Sequence, residues 1–97
     1  MIVGALRVTL RLPENASLKG KRQVVKSLLQ RVRQRFNVAA AEVDDQEAWQ
    51  LASLGFTCVS NTDRHAKAVL SSVLRYIEAS RLDAEIVDSA LETDHVL

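Results

Sequence analysis

The hydrophobic pattern of the chain changes its period at Pro13. Before this proline, apolar and polar residues alternate in the manner of a strand with one buried face. The apolar positions are Leu6, Val8, Leu10 and Leu12, and the polar positions are Arg7, Thr9 and Arg11. After it, Ser17 is placed to cap a helix with apolar residues at helical spacing: Leu18, Val25, Leu28, Leu29, Val32 and Phe36. The fold therefore begins with a strand and an amphipathic helix of about five turns.

Two further strands, a second helix and a final strand are predicted in the rest of the chain. Residues 38–43 form a short apolar run and residues 51–60 alternate, which predicts two antiparallel strands. Ser60 and Asp63 resemble a capping box, and Asn61 and Thr62 are the other candidate caps. The helix that follows carries Ala66, Leu70, Val73 and Ile77 at helical spacing. Residues 82–91 are predicted to form the last strand.

This βαββαβ order predicts an α+β domain with a ferredoxin-like fold. A four-stranded antiparallel sheet then carries both helices on one face, and the first and third strands are central. The opposite face is left open to solvent or a partner, and its predicted members are Arg7, Thr9, Arg11, Thr57 and Val59. The domain is expected to cover residues 1–92, with residues 93–97 as a short C-terminal tail.

The composition indicates one globular domain in a reducing compartment. Of the 97 residues, 47% are hydrophobic and 26% are charged. Cys58 is the single cysteine, which excludes an intramolecular disulfide and favours the cytoplasm. No apolar run approaches the roughly 20 residues that span a membrane, and the first residues lack the layout of a signal peptide. We therefore expect a cytoplasmic protein with no membrane partner.

The charges are unevenly distributed, although the net charge is only +1. Residues 1–41 contain nine basic residues and one acidic residue, Glu14, for a net charge of +8. Residues 42–97 contain four basic and eleven acidic residues, for a net charge of −7. A basic half and an acidic half must therefore coexist within one small domain.

The basic residues of the first helix are the main candidates for function. On a helical wheel, Lys19, Arg22, Lys26 and Arg33 fall within about 60° of one another, and Lys21, Arg31 and Arg35 lie on the other flank of the apolar face. Lysine and arginine at one-turn intervals can neutralise several phosphates of a nucleic acid. The alternative is a solvated helix face whose aliphatic stems cover the edge of the core. The predicted nucleic-acid-binding residues are Lys19, Lys21, Arg22, Lys26 and Arg33, with Arg7 and Arg11 added from the open sheet face.

Two sequence strings resemble the YlxP-like family of small bacterial proteins of uncharacterised function. They are SLKGKRQVVKSL at residues 17–28 and FNVAAAEV at residues 36–43, followed by Trp49, Leu54-Gly55 and Val59-Ser60-Asn61. The resemblance extends over nearly the whole chain. It implies a ferredoxin-like fold and a family often encoded among translation and ribosome-maturation genes, with no established activity. The family commonly has an acidic residue at the position of Gly20, so its absence makes the helix start more positive.

The residues that ordinarily carry catalysis lack the arrangement that catalysis requires. Cys58 falls on a predicted core face, and His65 is expected at the surface of the second helix. The acids Glu42, Asp44, Asp45 and Glu47 lack the spacing and glycine of a calcium loop. The chain has no glycine-rich phosphate loop and no nucleophile elbow. We therefore predict no enzyme, no metal, no cofactor and no small-molecule substrate.

Two functions remain open at this point. The first is a non-enzymatic accessory module that contacts structured RNA or a ribonucleoprotein through its basic helix, reading backbone and shape because exposed aromatic residues are scarce. The second is a protein-interaction or homo-oligomerising module, which uses the basic and acidic halves or the open sheet face with Ala39, Ala41 and Val59. Trp49 is either an interface anchor or a core residue, and burial is favoured because of its large apolar area.

Overall fold

The computed structural model describes residues 1–80 and 83–97, which form a four-stranded sheet and two helices. In chain order the elements are β1 (Ile2–Arg11), α1 (Leu18–Arg35), β2 (Ala39–Asp44), β3 (Leu51–Ser60), α2 (Asp63–Ala79) and β4 (Glu85–His95). The strands follow the order β2-β3-β1-β4, and every neighbouring pair is antiparallel. This is the predicted ferredoxin-like fold, with β1 and β3 in the centre.

Alternation in the central strands places the core on the helical side of the sheet. Leu6, Val8 and Leu10 of β1 and Leu54 and Phe56 of β3 are buried together with apolar residues of both helices. The helical members of this core are Val25, Leu28, Leu29 and Val32 of α1 and Ala66, Leu70, Val73 and Ile77 of α2. Alternate residues of β1, such as Arg7 and Arg11, consequently face solvent on the open side.

Gly4 is a point of close approach between α2 and β1. A β-carbon at this position would lie 2.8 Å from Cδ1 of Leu70 and 3.4 Å from the β-carbon of Ala66. The missing side chain therefore lets α2 pack directly on the strand.

Both helices begin at hydroxyl caps. The Ser17 side chain accepts a hydrogen bond from the Gly20 amide, as the sequence predicts. For α2 the cap is Thr62, whose hydroxyl accepts from the amide of His65. The Ser60 hydroxyl instead accepts from the Thr62 amide one step earlier. Of the three candidate caps, Thr62 is therefore the one used.

The first and last strands differ from the prediction. β1 begins at Ile2, four residues before the alternation becomes regular, and β4 continues to His95. The two ends pair, with Ile2 opposite His95, and the Val96 amide donates to the Met1 carbonyl at 2.8 Å. Residues 93–95, which were predicted to belong to a tail, are therefore part of β4, because they pair with the edge of β1 that β3 leaves open. Residue 82, where the fourth strand was predicted to begin, lies outside the described residues.

Candidate nucleic-acid interface

Helix α1 presents a row of exposed cations along one flank. Its 18 residues include seven basic and no acidic side chains. We call the exposed residues Lys19, Arg22, Lys26 and Arg33 the basic stripe. The Nη2 of Arg33 donates to the carbonyl oxygen of Ala40 in the edge strand β2. The basic stripe therefore lies on the side of α1 that faces the β2 edge of the sheet.

Most of the basic stripe is free of internal partners. Within residues 1–80 and 83–97, no carboxylate forms an ion pair with Lys19, Arg22 or Lys26. Two acids of β4 pair instead with arginines on the open face of the sheet. Asp88 lies 3.7 Å from Arg7, and Glu85 accepts a hydrogen bond from Nε of Arg11 at 2.6 Å. The positive charge of these three stripe residues is therefore available to an external anion.

Lys21, by contrast, is fully buried and does not belong to the surface. Its Nζ donates to the carbonyl oxygens of Asp45, Gln46 and Leu51 at 2.7, 3.0 and 3.2 Å. Its Nζ also lies 3.1 Å from Oε2 of Glu42, whose side chain is only 17% exposed. The prediction that Lys21 contacts nucleic acid is therefore wrong, because four oxygens surround the three protons of its ammonium group.

The loop between β2 and β3 is fixed by Lys21 and by residues before α1. Asp45 adopts a left-handed conformation with φ of 62°, which turns its carbonyl toward Lys21. The side-chain amide of Asn15 donates to the carbonyls of Ser17 and Trp49, and the Leu12 amide donates to Gln50 at 2.9 Å. The loop is therefore attached both to the start of α1 and to the end of β1.

Trp49 lies on the outside of this loop and is 55% exposed. The expectation that it folds back onto the core is wrong. The space beneath the loop is taken by Lys21, whose ammonium satisfies loop carbonyls that would otherwise be buried without partners. The indole is therefore the large exposed aromatic group at the end of the sheet where α1 begins.

Arg7 and Arg11 lie on the open sheet face, away from α1. Each has an acidic neighbour on β4, Asp88 and Glu85 respectively, so both guanidinium groups are partly neutralised. The sheet separates them from the basic stripe, as the topology requires. A single duplex cannot contact both surfaces without passing around the end or edge of the sheet.

Cys58 and His65 lie where the sequence predicts them. Cys58 is buried, and burial raises the pKa of its thiol, which outweighs a hydrogen bond involving the Gly4 backbone. His65 is exposed in the first turn of α2. Among the described residues, no group of three or more histidine, cysteine or acidic side chains is arranged to hold a metal ion.

Comparison with known proteins connects this fold to one family. The family described as "Protein of unknown function (DUF503)" matches residues 3–91. The chain belongs to this family. It is also similar to Uncharacterized protein YlxP of Bacillus subtilis (strain 168), at 40% identity over 63 residues. That alignment covers 65% of this chain and 68% of the relative. The resemblance to the YlxP-like family is therefore confirmed.

Neither of these descriptions states an activity, a ligand or a partner for a DUF503 protein. No helix in the described part of the chain is long and apolar enough to cross a membrane.

Proposed function

We propose that the protein is a non-enzymatic cytoplasmic accessory module that contacts structured RNA, free or in a ribonucleoprotein, through the basic stripe. The observation that carries this proposal is the exposure of Lys19, Arg22 and Lys26 with no ion partner among the described residues. Surface cations without acidic neighbours create a local positive potential that attracts polyanions. Lys21 is excluded from the interface because its ammonium is internally satisfied.

The start of α1 supports a role beyond helix stability. The positive end of the helix dipole favours acids in the first turn, and α2 follows this rule with Asp63. Helix α1 has no acid there and carries Lys19 instead, with Arg22 close behind. These cations are unfavourable for the isolated helix, whereas a bound phosphate would interact well with both the side chains and the free backbone amides of the first turn.

The basic stripe suits contacts to phosphates more than to base edges. Lys19 and Arg33 are separated by 14 residues, or about 21 Å along the helix axis. Lysine and arginine side chains at this spacing follow a sugar-phosphate backbone, which sets affinity and orientation but carries little sequence information. We therefore expect recognition of RNA shape and strong dependence on salt.

The test is fluorescence anisotropy of a labelled ribosomal RNA hairpin at several salt concentrations. The stripe variant is Lys19→Gln, Arg22→Gln and Lys26→Gln. The charge-matched control changes three basic residues of α2, Arg64→Gln, Lys67→Gln and Arg75→Gln. The logarithm of the binding constant falls linearly with the logarithm of the salt concentration. Because the stripe variant loses three phosphate contacts, its slope should be shallower than that of the wild type by about 3.

The control variant is expected to keep most of the wild-type slope, since it loses the same net charge from the other helix. Equal losses in the two variants would show that binding depends only on net charge. No binding by the wild-type protein at low salt would overturn the proposal.

Self-association through the open sheet face is the second candidate. It is favoured by the exposure of Val43 and Val59, at 52% and 68%, beside the exposed Ala39 and Ala41. These residues lie on the neighbouring strands β2 and β3, so they make this half of the open face apolar. The charged residues of β1 and β4 occupy the other half of the same face. Sedimentation of the protein without RNA distinguishes this candidate, because a dimer that persists in high salt would be held by apolar contacts.

A further inference from the structure

We propose that Trp49 and Arg11 form a stacking site for one unpaired nucleotide of the RNA that the basic stripe contacts. This inference rests on the proposed function and adds a class of ligand to it: an RNA duplex with a single-stranded extension. The carrying observation is that two side chains able to stack on a nucleobase line the same depression.

The depression is a shallow, open area at the end of the sheet, with a volume of about 560 Å³. Trp49 and Arg11 line it together with Ala48, Gln50 and Leu51. Arg11 is the last residue of β1 and pairs with Leu51, the first residue of β3, so the rim of the site stands on two central strands. Such a site is built on rigid elements, although the indole itself comes from a loop.

The loop that presents Trp49 is held in place before any ligand binds. Its carbonyl oxygens at residues 45 and 46 accept from buried Lys21, and the Trp49 carbonyl accepts from Asn15. The Ala48 amide also donates to Asp45 at 3.0 Å within the loop. An exposed aromatic group on a fixed backbone loses little conformational entropy on binding, which favours recognition.

Arg11 has an acidic partner that partly neutralises its charge. Its Nε and Nη2 both approach Oε1 of Glu85. A guanidinium that already has an acidic partner offers a flat face for stacking more than a free charge for phosphate. The exposed Glu47 in the same loop further disfavours a phosphate at this point. The site therefore fits the neutral base of a nucleotide.

Phosphates next to that base would reach the start of the basic stripe. Asn15 joins the carbonyl of Trp49 to the carbonyl of Ser17, the cap residue of α1, and Lys19 follows two residues later. A strand that leaves a duplex on α1 can therefore place its first unpaired base against Trp49 at the same end of the molecule. The lining sets the indole beside a guanidinium that is already neutralised, and these two flat groups match a planar base.

Trp49 is the only tryptophan, so its fluorescence reports directly on this site. The probes are a blunt RNA hairpin and the same hairpin with a four-nucleotide extension at its 3′ or its 5′ end. Anisotropy of the labelled RNA gives affinity, and Trp49 emission gives base contact. The protein variants are Trp49→Ala, Trp49→Phe and the stripe variant.

One stacked base is expected to make an extended hairpin bind about 5- to 140-fold more tightly than the blunt one. Trp49 emission falls on binding the extended hairpin and changes little with the blunt hairpin. Trp49→Ala removes the advantage of the extension without weakening binding of the blunt hairpin. Trp49→Phe keeps part of the advantage, because its ring still stacks.

The outcomes separate the two proposals. The stacking site is overturned if blunt and extended hairpins bind with equal, salt-dependent affinity, or if the advantage of the extension survives Trp49→Ala. Either result still supports RNA binding by the basic stripe. An absence of binding to any of these RNAs overturns both. A shift of Trp49 emission that follows protein concentration instead of RNA would assign the indole to a protein interface and also overturn the stacking site.

Discussion

Four oxygens surround the ammonium group of Lys21: the carbonyls of Asp45 and Gln46 in the loop after β2, the carbonyl of Leu51 at the start of β3, and a carboxylate oxygen of Glu42. The aliphatic stem of the side chain lies within the buried face of α1, next to Val25 and Leu28. A cation in this position is costly to desolvate, and the cost is offset only if every donor has an acceptor. Lys21 therefore acts as a polar anchor that attaches the loop before β3 to α1.

Replacing Lys21 with methionine should lower the free energy of unfolding by about 3 to 5 kcal/mol, because it leaves Glu42 without its cation and the loop carbonyls without donors. Chemical denaturation monitored by circular dichroism measures the change. Lys19→Met is the matched control, since Lys19 is exposed two residues away on the same helix and should change stability by less than about 0.5 kcal/mol. Equal effects of the two substitutions would contradict the role of Lys21.

Helix α2 has an acid in its first turn and α1 has none, and the start of α2 is tied to the sheet. The Asp63 carboxylate accepts hydrogen bonds from Lys67 and from the hydroxyl of Thr93 on β4. The hydrogen bond from Lys67, followed by that from Thr93, holds the pKa of Asp63 below its ordinary value. Helix α2 is therefore anchored at its N-terminus by an internal acid. Helix α1 carries cations at its N-terminus, and we propose an external partner for them.

Asp63→Asn should be less stable than wild type at neutral pH, and the difference should shrink in acid. A carboxyl group with a lowered pKa contributes stability above its unfolded pKa and loses it as the pH falls through the folded value. The loss is expected to begin below about pH 5, since an unfolded aspartate titrates near 3.9. Thermal unfolding between neutral pH and strong acid measures the difference. The control is Asp94→Asn at an exposed position of β4. A difference from wild type that stays constant with pH would contradict the prediction for Asp63.

The helices and strands could be predicted because hydrophobic periodicity and capping residues are local in the sequence. The candidate site could not be predicted fully, because it depends on contacts between residues that are distant in the sequence. Periodicity and caps defined α1, and β3 has the predicted bounds of residues 51–60. The surroundings of Lys21 and Trp49 were predicted incorrectly because both are decided by a loop whose carbonyls lie 24 to 30 residues from Lys21. A lysine on the flank of an apolar helix face is the only sequence signal of such an anchor, and it also fits a solvated residue.

At the scale of the whole molecule, the two chain ends described in the structure meet beside the core. The first residues of β1 pair with the last residues of β4, and the side chain of Thr93 reaches Asp63 of α2. Hydrophobicity alone predicted a tail here, because residues 92–97 contain few apolar groups. The backbone pairing of β1 gives these polar residues a structural role that their composition does not show.

Deleting residues 93–97 should therefore destabilise the domain by about 3 kcal/mol. The deletion removes the partners of Ile2, Val3 and Gly4 and the hydrogen bond from Val96 to Met1, and each net hydrogen bond contributes about 1 kcal/mol. Urea denaturation measures the loss, and amide exchange at residues 2–5 should accelerate while exchange in the middle of β3 follows global unfolding. Deleting only Leu97 is the control and should leave both measurements nearly unchanged, because the paired strand ends at His95. Unchanged exchange at residues 2–5 in the longer deletion would show that β1 does not need this part of β4.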